Sequence, residues 1–448
     1  MGATEQANIS DIDWDAQISC PMNAGEVDLF QPGAQEHWYE SYKILHDEQP
    51  IVQLEGEGWT PGTDAYILTK YEDIQRVVRD TDTFIQRADN GGGQSALEVE
   101  IFKEEGFDDY VDARDTLRPN LEMHKVHRQT LTDPWVGPVG ADRHREMITK
   151  YANQLMDAWI DKGSVEYVAD FAADLPQMVI ETVIGFPLED MAFLRECEES
   201  QVRRFVYGSG PRNLLTEDDE RANAAILVDF NRYIEEKVRE RRKNPTEDMI
   251  SYLCQVRYGK EERPLTDGEV ISVAWSMHIG GNETTRYALI KQAQALAKNP
   301  EVMKTLRGDR SKVRYFVEEM LRLQAPTQGL SGRIVGKDGV VMQGVEIPKG
   351  SMLHLRYAAG NRDEKQFSNA DEIDLGRTHP GQHLTFGQGV RSCPGAGLSR
   401  LEQNIVTNVI LDRIETLELD PEKNNFRHQP GIMLGMNELH LNFTKRKN

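Results

Sequence analysis

The sequence predicts a mainly α chain with a small β portion, an α+β class, on three observations. Apolar residues recur at helical spacing through most of 124–300. Short alternating runs such as GVVMQGVEIP cluster at 334–357, and a strand-like ELHLNF lies near the C-terminus. No internal repeat and no linker composition interrupts the 448 residues. A single domain over 31–448 is expected, behind an irregular leader at 1–30. The hydrophobic fraction of 39% suffices for a substantial core.

Taken in order, 35–48 and 71–80 read as helices, with a strand AYILT at 65–69 between them. Residues 86–120 contain NGGGQ followed by an acidic mixed stretch, which predicts a long loop with at most one short helix. The helical pattern that follows breaks near 133–141, 208–216 and 258–266. At LTDGEV, Thr266 and Glu269 form a capping-box pattern. The helix it opens can run to Asn299, where Pro300 stops it, with the Thr284 hydroxyl expected to bond back and open the ladder in its middle. A further helix is read in FVEEMLRLQAP, and the last in GLSRLEQNIVTNVILDRI.

Composition excludes several classes. A formal net charge of −22 argues against a nucleic-acid partner. The four cysteines, Cys20, Cys197, Cys254 and Cys393, form no CxxC pair, against a disulfide framework or structural zinc. Cys197 and Cys254 fall in helical stretches and read as small buried hydrophobes. The N-terminus has no apolar core segment and no 18-residue apolar run occurs, so a cytoplasmic enzyme without a membrane anchor is expected.

The stretch FGQGVRSCPG, 386–395, stands apart. A thiolate is stabilised by a helix N-terminus and by backbone N–H groups that approach the sulfur. Gly387, Gly389 and Gly395 permit that approach, and a helical pattern begins just beyond Cys393. Phe386 is placed to shield the sulfur and Arg391 to pair with a nearby anion. One thiolate in such a loop suits a low-potential metal centre.

The spacing F-x-x-G-x-R-x-C-x-G, with LTF before it and LSRLE after it, resembles the haem-binding loop of the cytochrome P-450 monooxygenases. Other motifs share the resemblance. In FVEEMLRLQAP, Glu319 and Arg322 match the family's structural E-x-x-R pair; by chance alone such a pair is a solvated surface contact, but the apolar flanks argue for burial. The third arginine of that cluster has no obvious counterpart: Glu372 stands where it would fall, and Arg362 in AGNRDE is the replacement offered. In IGGNETTRYAL, residues Gly280, Gly281, Asn282, Glu283 and Thr284 match the family's [A/G]-G-x-[D/E]-T. Two glycines within a helix cost roughly 1 kcal/mol each, and close approach to a flat cofactor is one reason to keep them. In EMHKVHRQTL, His124 and Arg128 match H-x-x-x-R. Arg333 and Arg391 match two further propionate positions, and His383 is expected near the same edge.

The resemblance implies the P-450 fold, with haem b (iron protoporphyrin IX) between a long central helix and the cysteine loop. It implies Cys393 as iron ligand. Phe386, Gly387, Gly395, Gly281, His124, Arg128, Arg333, Arg391 and His383 would hold the cofactor. Thr284 would steady bound oxygen while Glu283 supplies protons. The reaction implied is insertion of one oxygen atom into a C–H bond, as hydroxylation or O-dealkylation. A peroxide-dependent peroxygenase and a non-enzymatic haem sensor are the alternatives; the Glu283/Thr284 pair argues against the first, and the lack of a visible output domain against the second.

No flavin, nicotinamide or iron–sulfur signature accompanies these motifs. Electrons from a separate ferredoxin and an NAD(P)H-dependent reductase are therefore implied, with Lys125, Arg143 and Arg145 as docking candidates. Family topology maps the substrate pocket onto 85–120, 190–220, Ser276, Ile279, Gly280, 327–331 and 431–436. Within these, Ile279, Leu330 and Met433 suit an apolar ligand, and Gln328 and Ser276 a polar function. A terpenoid, steroid-like or aryl/alkyl ether substrate is expected, with a methylated sugar as the polar alternative.

Overall fold

Helix α1 (Trp38–Glu48) leads into a hairpin of β1 (Ile51–Leu54) and β2 (Ala65–Leu68), followed by α2 (Tyr71–Arg79) and β3 (Phe84–Gln86). The computed structural model describes residues 17–86, 95–208, 215–336, 338–429 and 431–447. The 86–120 stretch is more ordered than expected. It carries two helices, α3 (Ala96–Glu104) and α4 (Asp108–Leu117), while the NGGGQ segment lies outside the described residues. Ser95 caps α3 by accepting the Glu98 N–H at 3.1 Å. Glu98 itself is buried against Arg204 at 2.9 Å. Tertiary pairing, invisible to local periodicity, makes this acidic stretch helical.

Next come α5 (Leu121–His127), α6 (Asp133–Val136), α7 (Arg145–Asp157), β4 (Ser164–Glu166), α8 (Asp174–Ile184), α9 (Met191–Gly208), α10 (Glu217–Lys243) and α11 (Met249–Gln255). A small hairpin of β5 (Arg257–Tyr258) and β6 (Arg263–Pro264) precedes the central segment. That segment is two helices, α12 (Asp267–Gly281) and α13 (Glu283–Lys298), not one. Its start is as expected: Thr266 and Glu269 form both halves of a capping box. Asp109 of α4 adds acceptors for the Thr266 hydroxyl at 3.0 Å and the Gly268 N–H at 2.9 Å. The break falls at Asn282, where φ is −100° and ψ −75°.

The chain continues through α14 (Pro300–Gly308), α15 (Val313–Leu323), β7 (Leu330–Val335), β8 (Val340–Met342), β9 (Val345–Ile347), β10 (Met352–Leu355) and α16 (Tyr357–Gly360). It ends with α17 (Ala396–Arg413), β11 (Ile414–Leu419) and β12 (His440–Lys445). The larger sheet runs β1-β2-β10-β7-β3, with β2 and β10 parallel at its centre. Both central strands are buried along their whole length, which explains their continuous apolar character. A second sheet, β11-β12-β4, includes a short strand at 164–166 that lay hidden in the helical pattern. The main hydrophobic core surrounds α12, α13, α15 and α17. Cys197 is fully buried and Cys254 partly so, as small hydrophobes. Among the described residues no helix is long and apolar enough to cross a membrane.

Candidate active site

The loop before α17 is built by backbone geometry. Gly387 and Gly389 adopt φ of 64° and 74°, which a side chain rarely tolerates. A Cβ on Gly389 would also stand 3.2 Å from the Val78 carbonyl oxygen. These two glycines therefore serve the turn. Only Gly395, the residue before α17, stands near the sulfur: a Cβ there would lie 3.9 Å from Cys393 Sγ. The Cys393 N–H donates to the Phe386 carbonyl at 2.7 Å and closes the loop.

Burial raises the Cys393 thiol above its ordinary pKa; the N–H groups of Gly395 and Ala396 and the Arg128 and Arg400 guanidiniums act the other way. A metal cation at the sulfur tips that balance, because a coordinated thiol is deprotonated outright. Arg400 lies over the Phe386 ring at 4.5 Å and grips Glu318 with two bonds of 2.6 and 2.9 Å.

A cavity of about 320 Å³ opens against this loop. Cys393, Phe386 and Gly395 form one part of its wall, and Ser276, Gly280, Gly281 and Thr284 of the broken helix another. The two helical glycines divide their work. A Cβ on Gly280 would meet nothing within 4 Å, so its face is open to the cavity. A Cβ on Gly281 would lie 2.6 Å from Ile180, so its lack of a side chain serves the packing of α12 on α8. Thr284 Oγ1 donates to the Gly280 carbonyl at 3.2 Å, the back-bond expected of a hydroxyl at a helix break.

Cations gather at the same cavity: Arg128, Arg391 and Arg118, with the imidazoles of His124 and His127. Arg128 donates to the Ser392 carbonyl at 2.6 Å and to Asp133 at 3.0 Å. His124 Nε2 contacts the Val390 carbonyl at 3.1 Å. Burial, with Arg391, Arg118 and Arg128, pushes His124 down to about 4; burial, with Arg118, His124 and Arg128, pushes His127 down to about 3. Both imidazoles are therefore neutral near pH 7. Their buried Nδ1 atoms have no hydrogen-bond partner in the protein. The three guanidiniums suit an anionic ligand, and His127 Nδ1 can join them as a donor, whereas Nδ1 of His124, whose Nε2–H serves the Val390 carbonyl, is an acceptor. His127 lies one turn from His124 on the same helical face and was legible from that spacing; of the other lining residues, Glu402 ends the LSRLE stretch and Arg118 carried no motif.

Several expected site residues lie elsewhere. His383 is buried against Glu318 at 2.9 Å, away from the cavity lining, because the loop needs that ion cluster. His383 and Arg400 outweigh the effect of burial and hold Glu318 down to about 2. Arg333 sits on β7 opposite Gln86; Gln86 lines the cavity and Arg333 does not. Gly387 shapes the loop from outside the lining. Gln328 is buried under the Tyr42 hydroxyl at 2.8 Å, and Met433 is bridged to Thr327. Neither of these, nor Ile279 or Leu330, lines the cavity; of the expected pocket, Ser276 and Gly280 do. Glu283 is turned from the cavity and bonded to Tyr287.

Behind the loop, Glu319 and Arg322 are fully buried and joined at 2.9 Å by two parallel bonds. The third partner is Arg377, whose Nε donates to Glu319 Oε1 at 2.8 Å. Arg362 instead pairs with Asp371 and donates to the Leu323 carbonyl at 2.8 Å. Position 372 contributes only its carbonyl, which accepts from Arg322 at 3.0 Å.

Comparison with known proteins agrees with this geometry. The cytochrome P450 family model matches residues 37–443. This chain belongs to the cytochrome P450 family. It is 31% identical to cytochrome P450 CYP107DY1 of Priestia megaterium, over 90% of this chain and 94% of that one. It is 33% identical to the biotin biosynthesis cytochrome P450 of Bacillus subtilis, over 85% and 90% of the two chains. The structure of P450BioI in complex with hexadec-9Z-enoic acid ligated acyl carrier protein superposes with a TM-score of 0.77 at 26% identity, covering 91% of this chain and 98% of that one. As a P450 the chain is a monooxygenase, an oxidoreductase that uses haem bound through a thiolate. The P450 site fits that group: one thiol at the wall, a side-chain-free patch at Gly280, and guanidiniums with the orphaned His127 Nδ1 for carboxylates.

Proposed function

We propose that this P450 inserts one oxygen atom into a C–H bond of a small to medium, largely apolar organic substrate, hydroxylating it or, at a carbon bearing oxygen, dealkylating it. The observation that carries the reading is the single cavity bounded by both Cys393 and the Gly280–Thr284 turn. Haem bound there supplies the oxygen-activating redox chemistry. Cys393 is the residue placed to ligate its iron, with the N–H groups of Gly395 and Ala396 favouring the thiolate. His124, His127, Arg118, Arg128 and Arg391 would hold its carboxylates. Thr284 Oγ1 spends its one hydrogen on a 3.2 Å bond to the Gly280 carbonyl, a bond weak enough to exchange for one directed into the cavity.

Val273, Met277, Ile180 and Leu398 give the cavity apolar walls, while Ser272, Ser276 and Gln86 offer polar anchors. That mixture supports a terpenoid, steroid-like or aryl/alkyl ether substrate over a methylated sugar. Electrons come from a separate ferredoxin and its NAD(P)H-dependent reductase. Of the docking candidates, Arg145 is paired with Asp142 at 2.6 Å and Arg143 covers Trp135 at 4.8 Å, leaving exposed Lys125 as the more available cation.

The test is the carbon-monoxide difference spectrum of the ferrous protein. The wild type is expected to show the band typical of a thiolate ligand and Cys393→Ser to lose it; a band unchanged in the variant would sink the assignment. A compound library scored by displacement of iron-bound water then finds the substrate class. In Thr284→Ala, coupled turnover with dioxygen should collapse while peroxide-driven turnover survives.

A further inference from the structure

The break in the central helix is filled from α9. Glu198, 4% exposed, receives the N–H of Glu283 on Oε1 at 3.1 Å and the side-chain amide of Asn282 on Oε2. Both carboxylate oxygens thus accept from the residues at the interruption between α12 and α13. Glu283 turns the other way. Its Oε1 bonds to the Tyr287 hydroxyl, which also contacts Gln429 Oε1, and Gln429 Nε2 is committed to Asn437 Oδ1.

Counting hydrogens assigns the proton. A phenol has one O–H. Tyr287 stands between two oxygens, so it donates to one and must accept from the other. Gln429 Oε1 accepts; Glu283 is then the donor and carries a proton. Glu198 accepts N–H bonds on both oxygens, so although burial and Glu283 raise its pKa, one shared proton leaves the charge on Glu198 when Glu283 is the donor. We propose that Glu198 is a positioning residue: its buried charge holds Glu283 in the neutral, proton-bearing form, parked on Tyr287 one residue from Thr284. This rests on the monooxygenase reading for its purpose, a stored proton beside the reacting site, but not for its chemistry.

The surroundings agree. Burial raises the pKa of both acids, and their charges oppose joint ionisation. The cation nearest Glu198 is already engaged: His278 contacts Glu181 at 3.3 Å through Nδ1 and the Leu194 carbonyl at 3.2 Å through Nε2. Burial lowers the pKa of His278, but Glu181 and then Glu198 raise it further, giving a net rise. Facing Glu283 are Tyr287 and Arg286 of α13 and Glu199 and Tyr207 of α9; Tyr287 and Arg286 favour ionisation, Glu199 opposes it, and burial gives the net rise.

Infrared difference spectroscopy of the ferric, substrate-free haem protein tests this. A neutral-carboxyl C=O band is expected at pH 7 that Glu283→Gln removes; buried Glu402 contributes its own band, which persists in that variant. In Glu198→Gln the band assigned to Glu283 should titrate away about 1–3 pH units lower, as loss of a nearby negative charge requires. In Glu198→Asp, which keeps the charge, it should titrate close to the wild type. No band lost in Glu283→Gln, or an unmoved midpoint in Glu198→Gln, overturns the proposal. The ferrous–carbon monoxide spectrum confirms that each variant is folded. A separate arm measures peroxide released per dioxygen consumed: a rise of several-fold in Glu198→Gln supports the link to turnover, and an unchanged ratio breaks that link while leaving the infrared result standing.

Discussion

Glu319 shows how one side chain can organise a region. Its two oxygens accept from Arg322 twice, from Arg377 Nε and from the Asp374 N–H, all at 2.8–2.9 Å. Four donors satisfy a fully buried carboxylate, and the Arg charges hold it ionised against the effect of burial. Removing partners should therefore cost stability in a set order. Arg322→Ala strips two bonds from Glu319 and is expected to cost about 3–5 kcal/mol. Arg377→Ala leaves the Arg322 pair in place and should cost about 1–3 kcal/mol. Arg362→Ala loses a partly exposed partner and should cost about 1 kcal/mol. Denaturant midpoints of the haem protein check the order; Arg362→Ala as the most damaging of the three would refute it. The pair itself was legible in the spacing of 319 and 322, since three residues on a helix share a face. Arg377 was not, because it arrives from an irregular segment whose path only the tertiary fold defines. The same holds for Glu198, which meets its partners 84 and 85 residues further along the chain.

At the scale of elements, local signals located starts better than interruptions. The capping box at Thr266 and the helix after Cys393 were both readable, because caps and glycine turns act within a few residues. An opening at Thr284 was readable from its hydroxyl and the paired glycines, but a full break at Asn282 was not, because Glu198 of α9 stabilises it from outside the segment. Likewise α3 and α4 depend on Arg204 and on the start of α12. The two glycines before the break make a sharp contrast. Gly280→Ala places its methyl in open space and should stabilise α12 by about 0.5–1 kcal/mol. Gly281→Ala forces a Cβ within 2.6–3.1 Å of three Ile180 carbons, and should lose about 1–3 kcal/mol to overpacking against that gain. The cavity effect runs the other way: Gly280→Ala is expected to weaken substrate binding by narrowing the open wall. Denaturant midpoints and spectral binding titrations of both variants read the two effects separately. Equal midpoints for the two would mean that Ile180 yields freely.

Across the whole molecule, buried ionisable groups set opposing pH dependences. His127, His144 and His354 are buried and neutral. Burial and nearby guanidiniums hold His127 down to about 3; burial, with Arg143 against the Trp135 carbonyl, holds His144 down to about 4; burial, with Arg356, keeps His354 well below its ordinary value. As pH falls below about 6.5 the unfolded chain takes up protons that these native imidazoles refuse. Stability then falls by up to about 1.4 kcal/mol per pH unit for each group. Glu402 and the Glu198–Glu283 pair act oppositely, because burial raises their pKa. Their contribution is complete below about pH 4.5 and declines as pH rises and Glu402 and the one proton of the Glu198–Glu283 pair are released. Between pH 4.5 and 6.5 these imidazoles, with His124, outnumber the protons held by the acids; above about pH 7 the acids are opposed by Lys291, which burial holds down to about 7. These groups therefore make stability rise with pH up to about 6.5. Below 4.5 the limb steepens, as Glu318, held down to about 2 by His383 and Arg400 despite burial, takes up its proton. His144 isolates one contribution, being outside the cavity and stacked on Trp135. The difference in unfolding free energy between wild type and His144→Gln should move against the wild type by up to about 1.4 kcal/mol per unit as pH falls from 6.5 to 4. Denaturant curves across pH 4–8 measure it, and a difference flat with pH would mean that native His144 titrates like an exposed imidazole.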